Sequence, residues 1–283
     1  MKSMEPIILR FECPDQPGII ATLSTFLFKK GANILDVDQH STLEEKGRFF
    51  CRIVFCFKEK GISLTKLETS FKKAMSPFKA NVVFSHHSQK MRMGILASKE
   101  SHCLADLLYR WQSGNLPVDI PFVISNHPDH QSMVSHFQVP YYYIPTTQEN
   151  KKEAEILDVV KHNTDFLVLA RYMQILSKSF LSAYGKDIIN IHHSFLPSFP
   201  GANPYKQAFD RGVKIIGATA HFVTSELDAG PIISQEVTAI SHRDSSHHIK
   251  KTGQHTETLA LWRAVDKYVS HHIIRIKNKT IVF

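Results

Sequence analysis

Asp187-Ile188-Ile189-Asn190-Ile191-His192-His193-Ser194-Phe195-Leu196-Pro197 is the stretch on which the reading of the chain turns. It opens as a short apolar run, the pattern of a strand buried on both faces. Asn190 and His192 interrupt that run two residues apart, so on a strand they project to the same side. In open α/β sheets, ligands bind beyond the carboxyl ends of the strands, and these two side chains fall at such an end. Asp228-Ala229-Gly230 follows, with Asp228 placed 38 residues after Asn190.

A buried strand that ends in Asn and His either satisfies those groups on loop backbone or uses them chemically. Acyl chemistry suits them. Asn190 can donate an amide N–H to a carbonyl oxygen as negative charge builds there, which is typically worth ~3–4 kcal/mol of barrier. His192 can act as general acid or base near neutral pH, a contribution of roughly 10²–10⁴ in rate. Asp228 can set the imidazole's protonation state and orient a water. The chain holds no G-x-S-x-G nucleophile elbow, so direct attack by water is preferred to a covalent intermediate.

Around this stretch, from Arg92 onward, strands alternate with helices, the pattern of a mostly parallel sheet covered on both faces. Apolar strands are expected at 93–97, 122–125, 141–144, 165–170, 187–192, 214–223 and 232–237, with helices at 102–112 and 151–161. Residues 197–204 read as a stiff Pro-rich loop that braces the site before a helix begins at Pro204. The small residues Gly217 and Ala220 have close packing as their simpler explanation.

Residues 5–87 read differently: strand, helix, two strands, helix, strand. Ile7-Ile8-Leu9-Arg10-Phe11 is a strand. Asp15-Gln16-Pro17-Gly18 is a turn feeding a helix, with Pro17 suited to a first helical turn. Ile19, Leu23, Phe26 and Leu27 recur at helical spacing, and Gly31 stops that helix. Residues 33–37 and 48–57 are strands joined by a polar turn at 44–47. Leu64, Leu67, Phe71 and Ala74 mark a second helix, ended by Pro77, and residues 81–84 close the order βαββαβ, the ferredoxin-like arrangement. The expected division is therefore 5–87, a polar linker at 88–91 and a catalytic domain at 92–283.

Bulk properties narrow the classes. The 283 residues are 43% hydrophobic and 21% charged, with a net charge of +8, ordinary for a globular chain of one or two domains. Residues 1–89 hold 13 Lys/Arg against 9 Asp/Glu, and residues 90–283 hold 21 against 17, with no basic run of five. Scattered charge of this kind argues for solvated helix faces, not nucleic-acid binding. Cys13, Cys51, Cys56 and Cys103 show no C-x-x-C spacing, and reduced core thiols in a cytoplasmic protein are the expectation. The first residues lack a signal-peptide pattern, and no segment reaches the ~20 apolar residues of a membrane span. The 17 histidines show no metal-ligand spacing, so no metal is expected.

Two resemblances then extend the reading. The Asp15-x-Pro17-Gly18 turn and Gly31-Ala32-Asn33-Ile34 resemble an ACT domain. This implies pairing into homo-oligomers and an amino-acid effector, glycine or methionine by analogy, held at Asp15, Pro17 and Gly18. Dimerisation alone is the other reading of this module. Asn190-Ile191-His192-x-Ser194-x-Leu196-Pro197, Gly217-Ala218-Thr219-Ala220-His221-Phe222-Val223 and Leu227-Asp228-x-Gly230-Pro231-Ile232-Ile233 resemble the formyltetrahydrofolate-dependent formyl-transfer fold, a Rossmann-like domain. With an ACT-like domain in front, with His192 doubled by His193, and with Ser101-His102-Cys103-Leu104-x-Asp106, the resemblance is to its deformylase branch.

That resemblance implies hydrolysis of 10-formyltetrahydrofolate to tetrahydrofolate and formate, in support of one-carbon balance and purine biosynthesis. Its catalytic trio falls on Asn190, His192 and Asp228. It places the folate against Met173, Gln174, Ile175 and Leu176, with Glu226 and Leu227 closing the other side and His193 beside the water. For Met173 and Leu176 the alternative is core packing, and for His193 it is simple packing. No cofactor beyond the folate is implied. An amine-accepting transformylase and a non-catalytic amino-acid sensor are the alternatives. Against an amine acceptor, Ala97-Ser98-Lys99-Glu100-Ser101 follows the first strand with a carboxylate in place of a glycine-rich phosphate turn.

Overall fold

The structure is a computed structural model that describes residues 5–42, 47–58, 63–147, 149–196 and 204–283. Residues 44–46 of the expected polar turn and residues 197–203 of the expected bracing loop lie outside them. The chain divides into two compact units.

The first unit carries β1 (Ile7–Pro14), α1 (Ile19–Lys29), β2 (Ala32–Ser41), β3 (Arg48–Phe57), α2 (Leu64–Ala74) and β4 (Asn81–His86). Its antiparallel sheet has the order β2-β3-β1-β4. Cross-strand pairs such as Ile7↔Phe55, Leu9↔Ile53 and Phe11↔Cys51 place one apolar row on the same face. That row packs with Leu23 and Leu27 of α1 and Leu67 and Phe71 of α2. Gly18, at φ 94°, caps α1, and the helix starts at Ile19. Pro17 therefore lies just outside the helix, because a left-handed residue has to intervene between the turn and the first helical turn.

The other face of this sheet carries Ile8, Arg10, Phe50, Arg52 and Val54, by the pairs Ile8↔Val54 and Arg10↔Arg52. Arg52 sits in an otherwise apolar strand, with its side chain 5% exposed and Asp36 and Asp38 at 2.9 and 3.2 Å. Two further partners come from the far end of the chain. Arg10 Nη1 donates to the carbonyl of Ile273 at 2.9 Å, and Arg52 Nη2 reaches that of Ser270 at 3.5 Å.

The second unit carries β5 (Met91–Ala97), α3 (His102–Gln112), β6 (Val118–Asp119), β7 (Val123–Ser125), α4 (Gln131–His136), β8 (Tyr141–Tyr143), α5 (Glu153–Val160), β9 (Phe166–Ala170), α6 (Lys178–Tyr184), β10 (Ile188–His192), α7 (Pro204–Arg211), β11 (Ile215–Phe222), β12 (Ile232–Ala239) and α8 (Ser246–Val269). The sheet runs β12-β11-β10-β9-β5-β7-β8. It is parallel from β10 through β9, β5 and β7 to β8, and antiparallel where β10 meets β11 and β11 meets β12. The central β9 is buried throughout, which is why its sequence Phe-Leu-Val-Leu-Ala shows no alternation. α3 spans the residues expected of it, whereas α5 starts only at Glu153, after Lys152 in a left-handed conformation.

The chain then forms a hairpin of β13 (Ile273–Ile276) and β14 (Lys279–Val282). Ser270–Ile276 and Thr280–Phe283 belong to the first unit, and the second unit ends its main run at Val269. By compactness, residues 270–276 and 280–283 of the expected 92–283 domain group with the first unit, where Arg10 and Arg52 reach the backbone carbonyls of Ile273 and Ser270. β5 also begins within the expected linker, at Met91. All four cysteines are free and buried. Among the described residues, no helix is long and apolar enough to cross a membrane.

Gly94 shows how tightly β5 packs. A Cβ there would stand 2.7 Å from both Leu167 Cδ2 and Thr164 Cγ2, two buried neighbours. Gly94→Ala is expected to cost about 1–3 kcal/mol through overpacking. Urea unfolding of the full chain checks this, and a loss below about 0.5 kcal/mol would show that the neighbours yield freely.

Candidate active site

Asn190 and His192 stand on β10 at the line where the sheet changes from parallel to antiparallel. Asn190 pairs in register with His221 of β11, and His192 with Thr219. Both project into one cavity of about 530 Å³, together with His221 and Asp228. His192 Nδ1 lies 3.1 Å from Asp228 Oδ2, and His221 Nε2 lies 3.6 Å from Asp228 Oδ1. The hydrogen bond from His192 is the largest influence holding the Asp228 carboxyl well below the usual carboxylate range. The carboxyl is therefore ionised at neutral pH.

The proton positions follow from the acceptors. His221 Nδ1 lies 2.9 Å from the Phe222 carbonyl, which can only accept, so Nδ1 carries hydrogen. In the neutral ring, Nε2 then accepts from Asn190 Nδ2 at 3.3 Å. That bond fixes the Asn190 amide and leaves its second N–H available. His192 donates through Nδ1 to the carboxylate. Its Nε2 is buried and has no hydrogen-bond partner among the described residues. A buried, unsatisfied ring nitrogen on a cavity wall is the arrangement that a substrate group completes.

Asp228 itself is held at φ 51°, a left-handed conformation for a residue with a side chain. Two residues later a Cβ on Gly230 would fall 1.7 Å from the Phe222 carbonyl oxygen. Only glycine lets this turn press against the end of β11, and that closeness sets Asp228 opposite β10. The exit of β10 is fixed as well. Thr219 Oγ1 donates to the Ser194 carbonyl and accepts from the Leu196 amide, both at 3.0 Å. Gln235 Nε2 reaches Thr219 Oγ1 and the Leu196 carbonyl, both at 3.1 Å.

The cavity gathers every residue that the sequence placed against a substrate: Met173, Gln174, Ile175, Leu176, His193, Glu226 and Leu227 all line it. Leu176 is buried, while Met173, Ile175 and Leu227 are more than half exposed. Three large apolar side chains left open on a cavity rim suit a flat, partly apolar ligand. The loop that bears Met173 is anchored from β5: the Met173 amide donates to Ser98 Oγ at 3.1 Å, and Ser98 Oγ donates to Asn126 Oδ1 at 2.7 Å. Asp15, Pro17 and Gly18 are exposed on the β1–α1 turn of the first unit.

Sequence reasoning did not assign His221 a place in the site. Its signal was the pairing of β10 with β11, which a single sequence does not reveal. Nor did it find Glu257, which is 1% exposed on α8. His102 Nε2 lies 2.8 Å from it, Arg171 Nε 3.2 Å, and the Tyr205 hydroxyl donates to its other oxygen. Burial pushes the Glu257 carboxyl up, but the His102 hydrogen bond and the Arg171 charge, with Tyr205, outweigh it and hold the carboxyl below its ordinary value. Cys103, with His102 and Glu257, completes a group of potential metal donors within 4.8 Å. Its thiol is pushed far up by burial, and Glu257 is already engaged by three side chains. The donor set reads as a buried ion-pair network, not as a cation site.

With this geometry in place, the comparisons with known proteins decide the family. Residues 91–265 match the Formyl transferase family, and residues 7–69 the ACT domain. Formyltetrahydrofolate deformylase from Bacillus subtilis (strain 168) is 44% identical over 280 residues, covering 97% of this chain and 93% of its own. The chain belongs to the formyltetrahydrofolate deformylase family. The solved structure of a formyltetrahydrofolate deformylase from Pseudomonas syringae pv. tomato str. DC3000 superposes with a TM-score of 0.94 at 42% identity, covering 100% of this chain and 96% of its own. Glycinamide ribonucleotide transformylase 1 from Symbiobacterium toebii is more distant. Its TM-score is 0.64 at 26% identity, over 72% of this chain and 98% of its own.

Within this family site, His193 is a neutral wall. Its ring lies 5.3 Å from that of His192 and 6.0 Å from that of Tyr205, centroid to centroid. Burial, then the nearby Arg171 charge, pushes its pKa down to about 4. Above about pH 6.5 the imidazole is neutral in both the folded and unfolded chain. Below that, the unfolded chain takes a proton that the folded one refuses. Stability is therefore expected to fall as pH drops from about 6.5 to about 4. His193→Gln should flatten part of that slope in unfolding titrations, the rest staying with His271, whose pKa is also near 4. An unchanged slope would contradict the assignment.

Proposed function

We propose that the chain hydrolyses 10-formyltetrahydrofolate to tetrahydrofolate and formate through Asn190, His192 and Asp228. The observation that carries this reading is the pairing of His192 Nδ1 with Asp228 at 3.1 Å, which leaves a buried, unpartnered Nε2 on the cavity wall. The free N–H of Asn190 and the Nε2–H of protonated His192 would donate to the formyl oxygen as it becomes an oxyanion. Asp228 would hold the attacking water and pass a proton towards the leaving nitrogen. Water oxygen bonds to the formyl carbon, the carbon–nitrogen bond breaks, the nitrogen gains a proton and formate departs. The trio performs these steps without a further cofactor.

Two features support water as the acceptor. The loop after β5 carries Glu100, whose carboxylate accepts from Lys250 at 2.8 Å and Gln254 at 2.9 Å. It offers a paired carboxylate where a phosphate cradle would present backbone amides. The long shared coverage with deformylases also exceeds that with the transformylase. In the cell such an activity would release formate and balance one-carbon folate pools on which purine synthesis draws.

The assay is formate release from 10-formyltetrahydrofolate with no amine present. Release above the buffer rate is expected, and release equal to it would sink the proposal. His192→Ala and Asp228→Ala should each lower turnover by roughly 10²–10⁴, and Asn190→Ala by roughly 10²–10³, with circular dichroism unchanged. Turnover retained in these variants would refute the roles of the trio.

For the ACT domain we propose pairing between copies and amino-acid binding at Asp15, Pro17 and Gly18. β2 is an edge strand of its sheet, and Ile34, Leu35 and Val37 on it are exposed, which supports pairing with a second chain. Glycine and methionine are the effectors to titrate first against formate release. A change in rate with either is expected, and a flat response to both would leave the domain to dimerisation alone.

A further inference from the structure

A second cavity of about 510 Å³ adjoins the catalytic one, and the two share Arg171 and His193 as lining side chains. Their characters differ. The catalytic cavity has the open apolar rim of Met173, Ile175 and Leu227. The second is walled by Glu100, Lys206, His247, Lys250, Gln254 and Glu257, besides the two shared side chains. Three cations, Arg171, Lys206 and Lys250, face two carboxylates there, a balance of +1 among these five side chains.

Both carboxylates are already engaged. Glu257 is held by His102, Arg171 and Tyr205, and Glu100 by Lys250 and Gln254. Lys206 is exposed and has no ion pair among the described residues. The surplus charge is thus a lysine at the chamber wall that can attract a small anion without releasing a structural contact. The catalytic His192 stands one ring away, its centroid 5.3 Å from that of the His193 that both cavities share.

We propose that this second cavity is the formate chamber: the cleaved carboxylate passes His193 and Arg171 into it while tetrahydrofolate still occupies the first. The inference rests on the hydrolytic reading above. A folate bound over the trio blocks the rim through which it entered, so the small product leaves soonest by a separate door. His193 suits a partition because its imidazole stays uncharged at neutral pH and forms no ion pair that would trap the product. Arg171 is already paired with Glu257, so it steers the anion without binding it permanently.

The full chain saturated with tetrahydrofolate is titrated with sodium formate by calorimetry, with sodium chloride at equal ionic strength as the reference. Formate inhibition of turnover is measured alongside. Formate is expected to bind the tetrahydrofolate complex more tightly than chloride and to inhibit noncompetitively against 10-formyltetrahydrofolate. Lys206→Glu turns the balance among those five side chains from +1 to −1 and should weaken formate inhibition roughly five- to tenfold, while tetrahydrofolate affinity stays within about twofold. His247→Glu, at a second exposed wall position, should act in the same direction. Competitive inhibition by formate would overturn the chamber, as would chloride binding equally well or both variants leaving inhibition unchanged. The hydrolytic reading fails separately, by absence of formate release from the unaltered chain, so the two failures are distinguishable.

Discussion

A carboxylate with almost no exposed surface must have its charge answered at close range, and Glu257 is answered by His102 of α3, Arg171 of the loop after β9 and Tyr205 of α7. Removing one partner of such a buried group typically costs ~3–5 kcal/mol, because the remaining charge is left uncompensated. The network therefore fixes several elements at once. α8 supplies the carboxylate, and three other segments are drawn to it. Arg171, at φ 61°, turns the chain out of β9 towards Met173, and Tyr205 backs the ring of His193. Neither Glu257 nor Tyr205 lines the cavity over Asn190 and His192, yet the loop and the imidazole that do are positioned through them.

The trio depends on a second constraint, the register between β10 and β11. Antiparallel pairing sets His221 opposite Asn190, and the bend at Gly230 returns Asp228 to the same place. The change of direction at β10 is thus what brings an amide and a carboxylate from distant parts of the sequence to two imidazoles.

Much of this was legible in the residues. The βαββαβ order could be read because each strand and helix of the first unit keeps its own period. Asn190 and His192 could be read because they interrupt an apolar strand at its carboxyl end. Asp228 was reached through its motif, and the cavity rim through family likeness. What stayed hidden depends on partners remote in sequence. His221 looked like part of an ordinary strand until its neighbour was known. Arg52 carried a visible signal, a charge amid Phe49, Phe50, Ile53 and Val54, but its answering carbonyl lies 218 residues away. Glu257 lay in a helix whose polar pattern gave no hint that one carboxylate faced inward.

The returning carboxyl-terminal segment has a bearing on how the chain is made. The second unit is encoded as an insertion between two pieces of the first. A ribosome delivers Arg10 and Arg52 early, but the carbonyls of Ser270 and Ile273 emerge only after the whole second unit has been synthesised. Domains generally fold as units during synthesis, amino-terminal first. Here the two carbonyl contacts to Arg10 and Arg52 form only after residues 270–273 have been made, although Arg52 already meets Asp36 and Asp38 within the early segment. Completion of the amino-terminal unit thus becomes a late event, timed by the arrival of residues 270–283.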